Sequence, residues 1–352
     1  MNEPMTVPES RIAPLRRILQ SMAGAQRCVL TTHVNADGDG AGSEAAVAAW
    51  LAGLGKEVHI VNPTPYPDVF RFLVEDVAII ADAGTAAAER AFGTADLLIV
   101  LDTAEASRIG RVAKAARGRD VIVIDHHPPT ETSLAGECMQ DPSACATGEL
   151  IFDLLLLAGL PRPWPQQVRN GIYTAVVTDT GSFRFSNTTR RTHAVAGDLI
   201  EQGVDPELMF RHIYATVPLR RIELLRHALE QLDVDAAYPI TAITISRGVM
   251  ERLGATSDDL DGVIDHARSI EGTEVAILFR ETADGSTKVS LRSAGAVDVN
   301  AIARQFGGGG HVKASGALIA DRLDTVRPRV LQATRAALQD AGLAFRRASA
   351  AP

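Results

Sequence analysis

The chain has 352 residues, which at roughly 150 residues per domain makes two domains the expectation and excludes a single small module. Hydrophobic residues make up 46% and charged residues 22%, enough apolar side chains for two cores and too many for a chain disordered throughout. With 35 Lys and Arg against 43 Asp and Glu the net charge is -8, so no global basic field exists to hold long nucleic acid, and any nucleic-acid ligand is expected to be short.

Met1 to Arg17 carries three prolines and no apolar h-region, and no later stretch reaches the ~18 apolar residues of a membrane span. Cys28, Cys138 and Cys145 show neither C-x-x-C spacing nor an even count, which argues against a disulfide framework or a structural zinc. A cytoplasmic protein with no membrane partner is the expectation. From Cys28 onward, short aliphatic runs alternate with helical patterns, the rhythm of a mainly parallel sheet with crossover helices. The strand candidates are Cys28–Thr32, Val58–Val61, Leu97–Leu101 and Val121–Ile124, and three of them end directly in polar or acidic clusters. Gly42–Leu54 and Gly148–Leu157 read as buried crossover helices.

Pro206–Leu232 has the spacing of one long amphipathic helix and is the expected linker. Strands over Ile240–Ile245, Val275–Phe279 and Lys288–Arg292, with helices near Met250 and over Val299–Phe306, predict a second, smaller α/β domain. The expected division is 1–203, a helical linker over 204–235, a second domain over 236–345 and a frayed tail over 346–352.

Four clusters in the first half carry chemistry. His33, Asp37 and Asp39 share one Gly-rich loop between a strand and a helix, where the alternative reading is a turn that caps the helix. Asp102 follows five aliphatic residues, and an N-cap is the bland reading there. Asp125-His126-His127 closes another strand, a combination seldom used for packing because each buried imidazole needs a polar partner. Asp179 stands in Thr-Asp-Thr-Gly after Thr174-Ala-Val-Val. Read jointly, His33, Asp37, Asp39, Asp102, His126 and Asp179 fall on one edge of one sheet and can hold two divalent cations ~3.5–4 Å apart. Nitrogen and oxygen donors without thiolate favour manganese, with magnesium, cobalt or iron as the other fits. In the second half, Gly307 to Gly310 can turn N–H groups toward an anion, with His311 and Lys313 as adjacent donors, and Arg292 can grip a phosphate bidentately.

These motifs, in this order from Cys28 to Gly316, resemble the DHH phosphoesterase family, whose name is the run Asp125-His126-His127. The arrangement is similar to the short subfamily of nano-RNases and 3'-phosphoadenosine 5'-phosphate phosphatases. The resemblance implies a DHH domain and a DHH-associated domain with the active site in the cleft between them. It also implies that His33, Asp37 and Asp102 hold one cation, that Asp39, Asp102, His126 and Asp179 hold the other, and that the chain forms a homodimer.

His127 would then be the proton donor at the scissile phosphate, with Asp102 the bridging catalytic carboxylate. Arg292, Gly309, Gly310 and His311 would hold substrate phosphate, with Arg184 and Lys313 as further contacts. Ala36 and Ser182 depart from residues common in the family, Pro at the first position and a larger side chain at the second. The implied activity is hydrolysis of very short oligoribonucleotides, extending to 3'-phosphoadenosine 5'-phosphate. A soluble phosphodiesterase for cyclic or linear dinucleotides and a catalytically silent nucleotide-binding regulator are the alternatives, and the complete ligand set stands against the second.

Overall fold

The four aliphatic runs of the first half form the central strands of a parallel sheet that, among the described residues, has six strands, as expected of chains that bury both faces of such a sheet. In the computed structural model, which describes residues 5–75, 79–130 and 133–343, the chain divides into two units, Met1–Thr216 and Val217–Pro352. The tail expected to fray over 346–352 lies outside the described residues.

In chain order the first unit contains α1 (Glu9–Gly24), β1 (Arg27–Thr31), α2 (Gly38–Gly53), β2 (Glu57–Asn62), β3 (Ile79–Asp82) and α3 (Ala86–Thr94). It continues with β4 (Leu97–Leu101), α4 (Ala113–Ala116), β5 (Val121–Asp125), β6 (Glu137–Gln140) and α5 (Thr147–Leu157). Three helices close it: α6 (Gln166–Asp179), α7 (Arg190–Glu201) and α8 (Pro206–Tyr214).

The strand order is β3-β2-β1-β4-β5-β6 and every pairing is parallel. Alternation along the strands splits the core in two. Cys28, Leu30, Ile99, Leu101, Ile122 and Ile124 face α1, α2, α5 and α6, whereas Val29, Leu98, Val100 and Val123 face the layer containing α3. The strand order reverses between β1 and β4, and sheets of this kind bind ligands outside the strand C-termini at such a switch point.

The α2 and α6 helices cross backbone to backbone. A Cβ on Gly42 would lie 2.4 Å from the Gly171 carbonyl oxygen, and one on Gly171 would lie 2.5 Å from that of Gly42. This close antiparallel contact places the C-terminus of α6, with Asp179, beside the N-terminus of α2, with Asp39.

The second unit contains α9 (Leu219–Glu230), β7 (Leu232–Val234), β8 (Ile240–Ile245), α10 (Arg247–Leu253), α11 (Val263–Arg268) and β9 (Val275–Glu281). It ends with β10 (Thr287–Ser293), α12 (Val299–Arg304), β11 (Gly309–His311), β12 (Ala314–Ile319) and α13 (Leu323–Asp340). Its sheet runs β11-β12-β10-β9-β8-β7, antiparallel except between β8 and β9. One face is buried by α12 and α13, and the other is buried over β8 and β9 by α9, α10 and α11.

Two expectations are corrected. Pro206–Leu232 is two helices, because Pro218 disfavours helical backbone at Val217 and the chain breaks between Tyr214 and Leu219. Asp179, expected on the same sheet edge as the other candidate ligands, instead ends α6, so it reaches the site from a helix end while the others follow strands.

Candidate active site

The loop after β1 delivers three of the candidate ligands. Asp37 is the N-cap of α2: its Oδ1 accepts from Asp39 N at 3.0 Å and Gly40 N at 3.1 Å. The capping and ligand readings are therefore compatible, because Asp37 Oδ2 stays open and lies 3.7 Å from His33 Nε2. His33 Nδ1 donates to the Val34 carbonyl at 3.0 Å, which in the neutral ring leaves the lone pair on Nε2. Asp102 follows β4 across the switch point with φ +62°, a left-handed conformation in a non-glycine residue, and no helix begins there for it to cap. Its Oδ2 is 3.3 Å from His33 Nε2, and its Oδ1 is 3.6 Å from His126 Nε2.

His126 Nε2 lies 3.6 Å from Asp39 Oδ2 and 3.6 Å from Asp179 Oδ2. Thus His33, Asp37 and Asp102 make one convergent set and Asp39, His126 and Asp179 another, with the two oxygens of Asp102 turned toward different imidazoles. His33 Nε2 and His126 Nε2 are both buried without a hydrogen-bond partner among the described residues. Two orphaned imidazole nitrogens, each ringed by carboxylate oxygens, are the donor chemistry that a divalent cation requires.

Charge crowding points the same way. Burial and the neighbouring Asp39 hold Asp102 well above the usual carboxylate range, and burial raises Asp39 as well. Burial and Asp39 push Asp179 up to about 6. At His33 burial favours the neutral ring, but Asp102 and Asp37 outweigh it and raise the group to about 10.

The carboxylates are oriented by neighbouring donors. Asp39 Oδ1 accepts from Ser43 Oγ at 3.2 Å and Gly148 N at 3.0 Å, and its Oδ2 from Thr147 N at 2.6 Å. Thr147 Oγ1 donates to Asp102 Oδ1 at 3.0 Å, and Asn187 Nδ2 donates to Asp179 Oδ2 at 3.2 Å. Asn187 returns to Asp179 because Gly181, Ser182 and Phe183 all take left-handed φ angles of 55°, 58° and 63° and reverse the chain.

His127 sits half-exposed beside this centre. Its Nδ1 and backbone N both reach Asp125 Oδ1, at 2.8 and 3.0 Å, which fixes the ring and directs Nε2 away from Asp125. Gln140 Nε2 holds the other oxygen of Asp125 at 3.1 Å. Sequence reasoning missed Thr147, Asn187 and the orienting roles of Asp125 and Gln140. Thr147 merely opens an apolar helix in the sequence, and nothing local in its neighbourhood signals a buried partner.

Arg184 is exposed and its Nε donates to the Gly181 carbonyl at 2.6 Å. A larger cavity of about 770 Å³ lies at the opposite, N-terminal ends of the strands, among Asp96, Arg119, Asp120 and Glu137, and contains none of the candidate ligands.

The remaining candidates belong to the second unit. Arg292, Gly309 and Ser290 line an open groove of about 440 Å³ on the β10–β12 part of the sheet. Gly308 and Gly310 are sterically required, since a Cβ on either would fall 2.1 Å from Gly316 O or 2.6 Å from Ala314 O. Gly309 has neither constraint. His311 and Lys313 are exposed at the end of β11 and in the turn beyond it.

The first unit is thus an α/β domain with a paired imidazole–carboxylate centre at the switch point of its sheet. Residues 27–177 match the N-terminal domain of the DHH family and residues 241–340 match the DHHA1 domain, and the chain belongs to the DHH family of phosphoesterases. It is 34% identical over 328 residues to the bifunctional oligoribonuclease and PAP phosphatase NrnA of Thermus thermophilus, covering 89% of this chain and 90% of that protein. The protein of the same description from Bacillus subtilis is 30% identical over 295 residues, 83% of this chain and 88% of its own length.

Among solved structures, an exopolyphosphatase-related protein from Bacteroides fragilis superposes with a TM-score of 0.82 at 25% identity, covering 93% of this chain and 96% of its own. RecJ of Thermus thermophilus in complex with Mn2+ shares the fold, with a TM-score of 0.51 at 14% identity over 95% of this chain and 55% of that one. No helix among the described residues is long and apolar enough to cross a membrane.

Proposed function

We propose that this chain is a two-cation phosphoesterase that hydrolyses very short oligoribonucleotides to mononucleotides and removes the 3'-phosphate of 3'-phosphoadenosine 5'-phosphate. The observation that carries the reading is the pair of convergent sets at the switch point, His33, Asp37 and Asp102 beside Asp39, His126 and Asp179, each built around an unpartnered buried imidazole nitrogen, with Asp102 Oδ1 also 3.6 Å from His126. The two NrnA relatives supply the substrate class.

His33, Asp37 and Asp102 would hold one cation, and Asp39, Asp102, His126 and Asp179 the other, with manganese the best match to their nitrogen and oxygen donors. Such cations, when bound, activate water at neutral pH and offset charge on the phosphoryl oxygens.

The residues of the chain perform the remainder. Asp125 keeps His127 in one orientation, so that Nε2 can give a proton to the leaving ester oxygen as water adds to phosphorus and the P–O bond breaks. On the second unit Arg292, the Gly309 and Gly310 backbone, His311 and Lys313 would form an anion-binding surface, and on the first unit Arg184 would be a phosphate contact. The net charge of -8 suits a ligand of a few nucleotides, since a long strand needs a basic track. The three unpaired thiols fit a reducing compartment such as the cytoplasm.

The test is a panel of pApA, a labelled RNA pentamer, 3'-phosphoadenosine 5'-phosphate, cyclic di-AMP and pyrophosphate, each with manganese and with chelator. Metal-dependent cleavage of the first three supports the reading. Preference for the cyclic compound, or silence on all five, contradicts it.

A further inference from the structure

The N-terminal turn of α5 has an anomaly that the catalytic reading leaves unused. Its N-cap is Ala146, which has no side-chain acceptor, so the first free N–H groups of the helix lack a local partner. They are satisfied from another element: Thr147 N and Gly148 N donate to the two oxygens of Asp39. In the same turn Thr147 Oγ1 donates to Asp102 Oδ1, and the Cys145 carbonyl accepts from Asn187 Nδ2, the group that also holds Asp179. The turn therefore reaches, directly or through Asn187, all three carboxylates around His126 Nε2.

The turn is itself anchored from below. Glu149 Oε2 accepts from Cys145 N at 3.1 Å, and Glu149 Oε1 accepts from Arg11 at 2.7 Å and Arg191 at 3.2 Å. Asp153 accepts from both arginines, and Arg11, Glu149 and Asp153 are buried. A Cβ on Gly148 would lie 2.4 Å from the Cβ of Ala175, so α5 cannot shift toward α6.

We propose that this turn is a template for the cation centre and that Thr147 is its positioning residue. The Thr147 N–H orients Asp39, and its hydroxyl fixes the carboxylate plane of Asp102 so that Oδ1 faces the His126 set while Oδ2 faces His33. One residue thereby sets how Asp102 is shared. The inference rests on the two-cation reading.

The decisive variant is Thr147→Val, which keeps the backbone N–H and the side-chain shape but removes the hydroxyl, with Thr147→Ser as the rescue that restores it. Each full-length protein, stripped of metal, is titrated with manganese alone by calorimetry and electron paramagnetic resonance, without substrate. Thr147→Val is expected to weaken manganese uptake by about 10–100-fold, the range for loss of an outer-shell partner. It is also expected to lose the spin-coupled signal of two neighbouring manganese ions, while Thr147→Ser retains both.

Should Thr147→Val fail to fold, Thr147→Ala against Thr147→Ser makes the same comparison. Wild-type affinity and an unchanged coupled signal in the hydroxyl-free variant overturn the role of Thr147. A wild-type protein that takes up no manganese overturns the cation reading, and this inference with it.

Discussion

Asp37, Asp39, Asp102 and Asp179 each accept hydrogen bonds from neighbouring groups while still presenting an oxygen to an imidazole nitrogen 3.3–3.7 Å away. That division lets four acids crowd together without free rotation. Asp102→Asn tests it with little backbone risk, since Asn tolerates the left-handed conformation. Hydrolysis should fall by more than about 100-fold, beyond the usual effect of an outer-shell partner, while the circular dichroism spectrum is retained; near-normal turnover would contradict the shared-ligand account.

His127→Asn should lower kcat by about 10²–10⁴-fold with manganese affinity intact, a split visible by comparing turnover with calorimetry. A further residue, Glu44, is buried below the first loop, where Asn62 links it to Thr32 N, and burial pushes it up to about 8 from its usual 4.5. The folded state thus takes up a proton there. Its contribution is complete below pH 4.5 and drains away as pH rises toward about 8. Glu44→Gln cannot ionise, so its Tm should gain on wild type between pH 5 and pH 8.5, and a gap independent of pH would refute the burial argument.

Much of the site was legible at this scale because an acid or imidazole directly after an aliphatic strand is a local signal, as at Asp102 and His126. Thr147 and Asn187 were not, because each is an ordinary polar residue whose partner is 45 residues away in one case and lies across a left-handed reversal in the other.

At the scale of elements, the placement of Asp179 depends on two helices touching through glycine. The β-branched run Thr174-Ala-Val-Val could serve a strand or a buried helix, and its side chains are buried along α6 where it packs against its neighbours. Periodicity over four residues cannot separate these cases. Gly171→Ala would place a Cβ 2.5 Å from the Gly42 carbonyl oxygen, and overpacking of this kind costs about 1–3 kcal/mol. Denaturant unfolding should show that loss, accompanied by weaker manganese binding as α2 and α6 carry Asp39 and Asp179 apart. Unchanged stability would mean that the crossing yields easily. The same limit explains the helix expected over Pro206–Leu232: the apolar spacing continues through Pro218, yet the backbone cannot.

At the scale of the molecule, the sequence foretold two α/β units and most central strands, since buried strands are continuous aliphatic runs. It did not disclose β3, β6, β7 or β11, short edge strands with mixed composition that pair on one side only, nor β12, an inner strand that follows the glycine-rich loop directly. The second unit contributes a groove rather than an ionisable cluster, so replacing its groups should act on binding. Arg292→Ala or His311→Ala is expected to raise KM by about 10–100-fold, the worth of one charged hydrogen bond, and to leave manganese uptake unchanged. A pure kcat effect would remove the groove from substrate recognition.

The central claim is that two cations sharing Asp102 drive hydrolysis of short RNA. The most direct measurement counts manganese per chain while following cleavage of a labelled RNA pentamer in the same titration. The account predicts two ions per chain and a rate that rises with the second. Full activity with one ion, or cleavage undiminished by chelator, would contradict it.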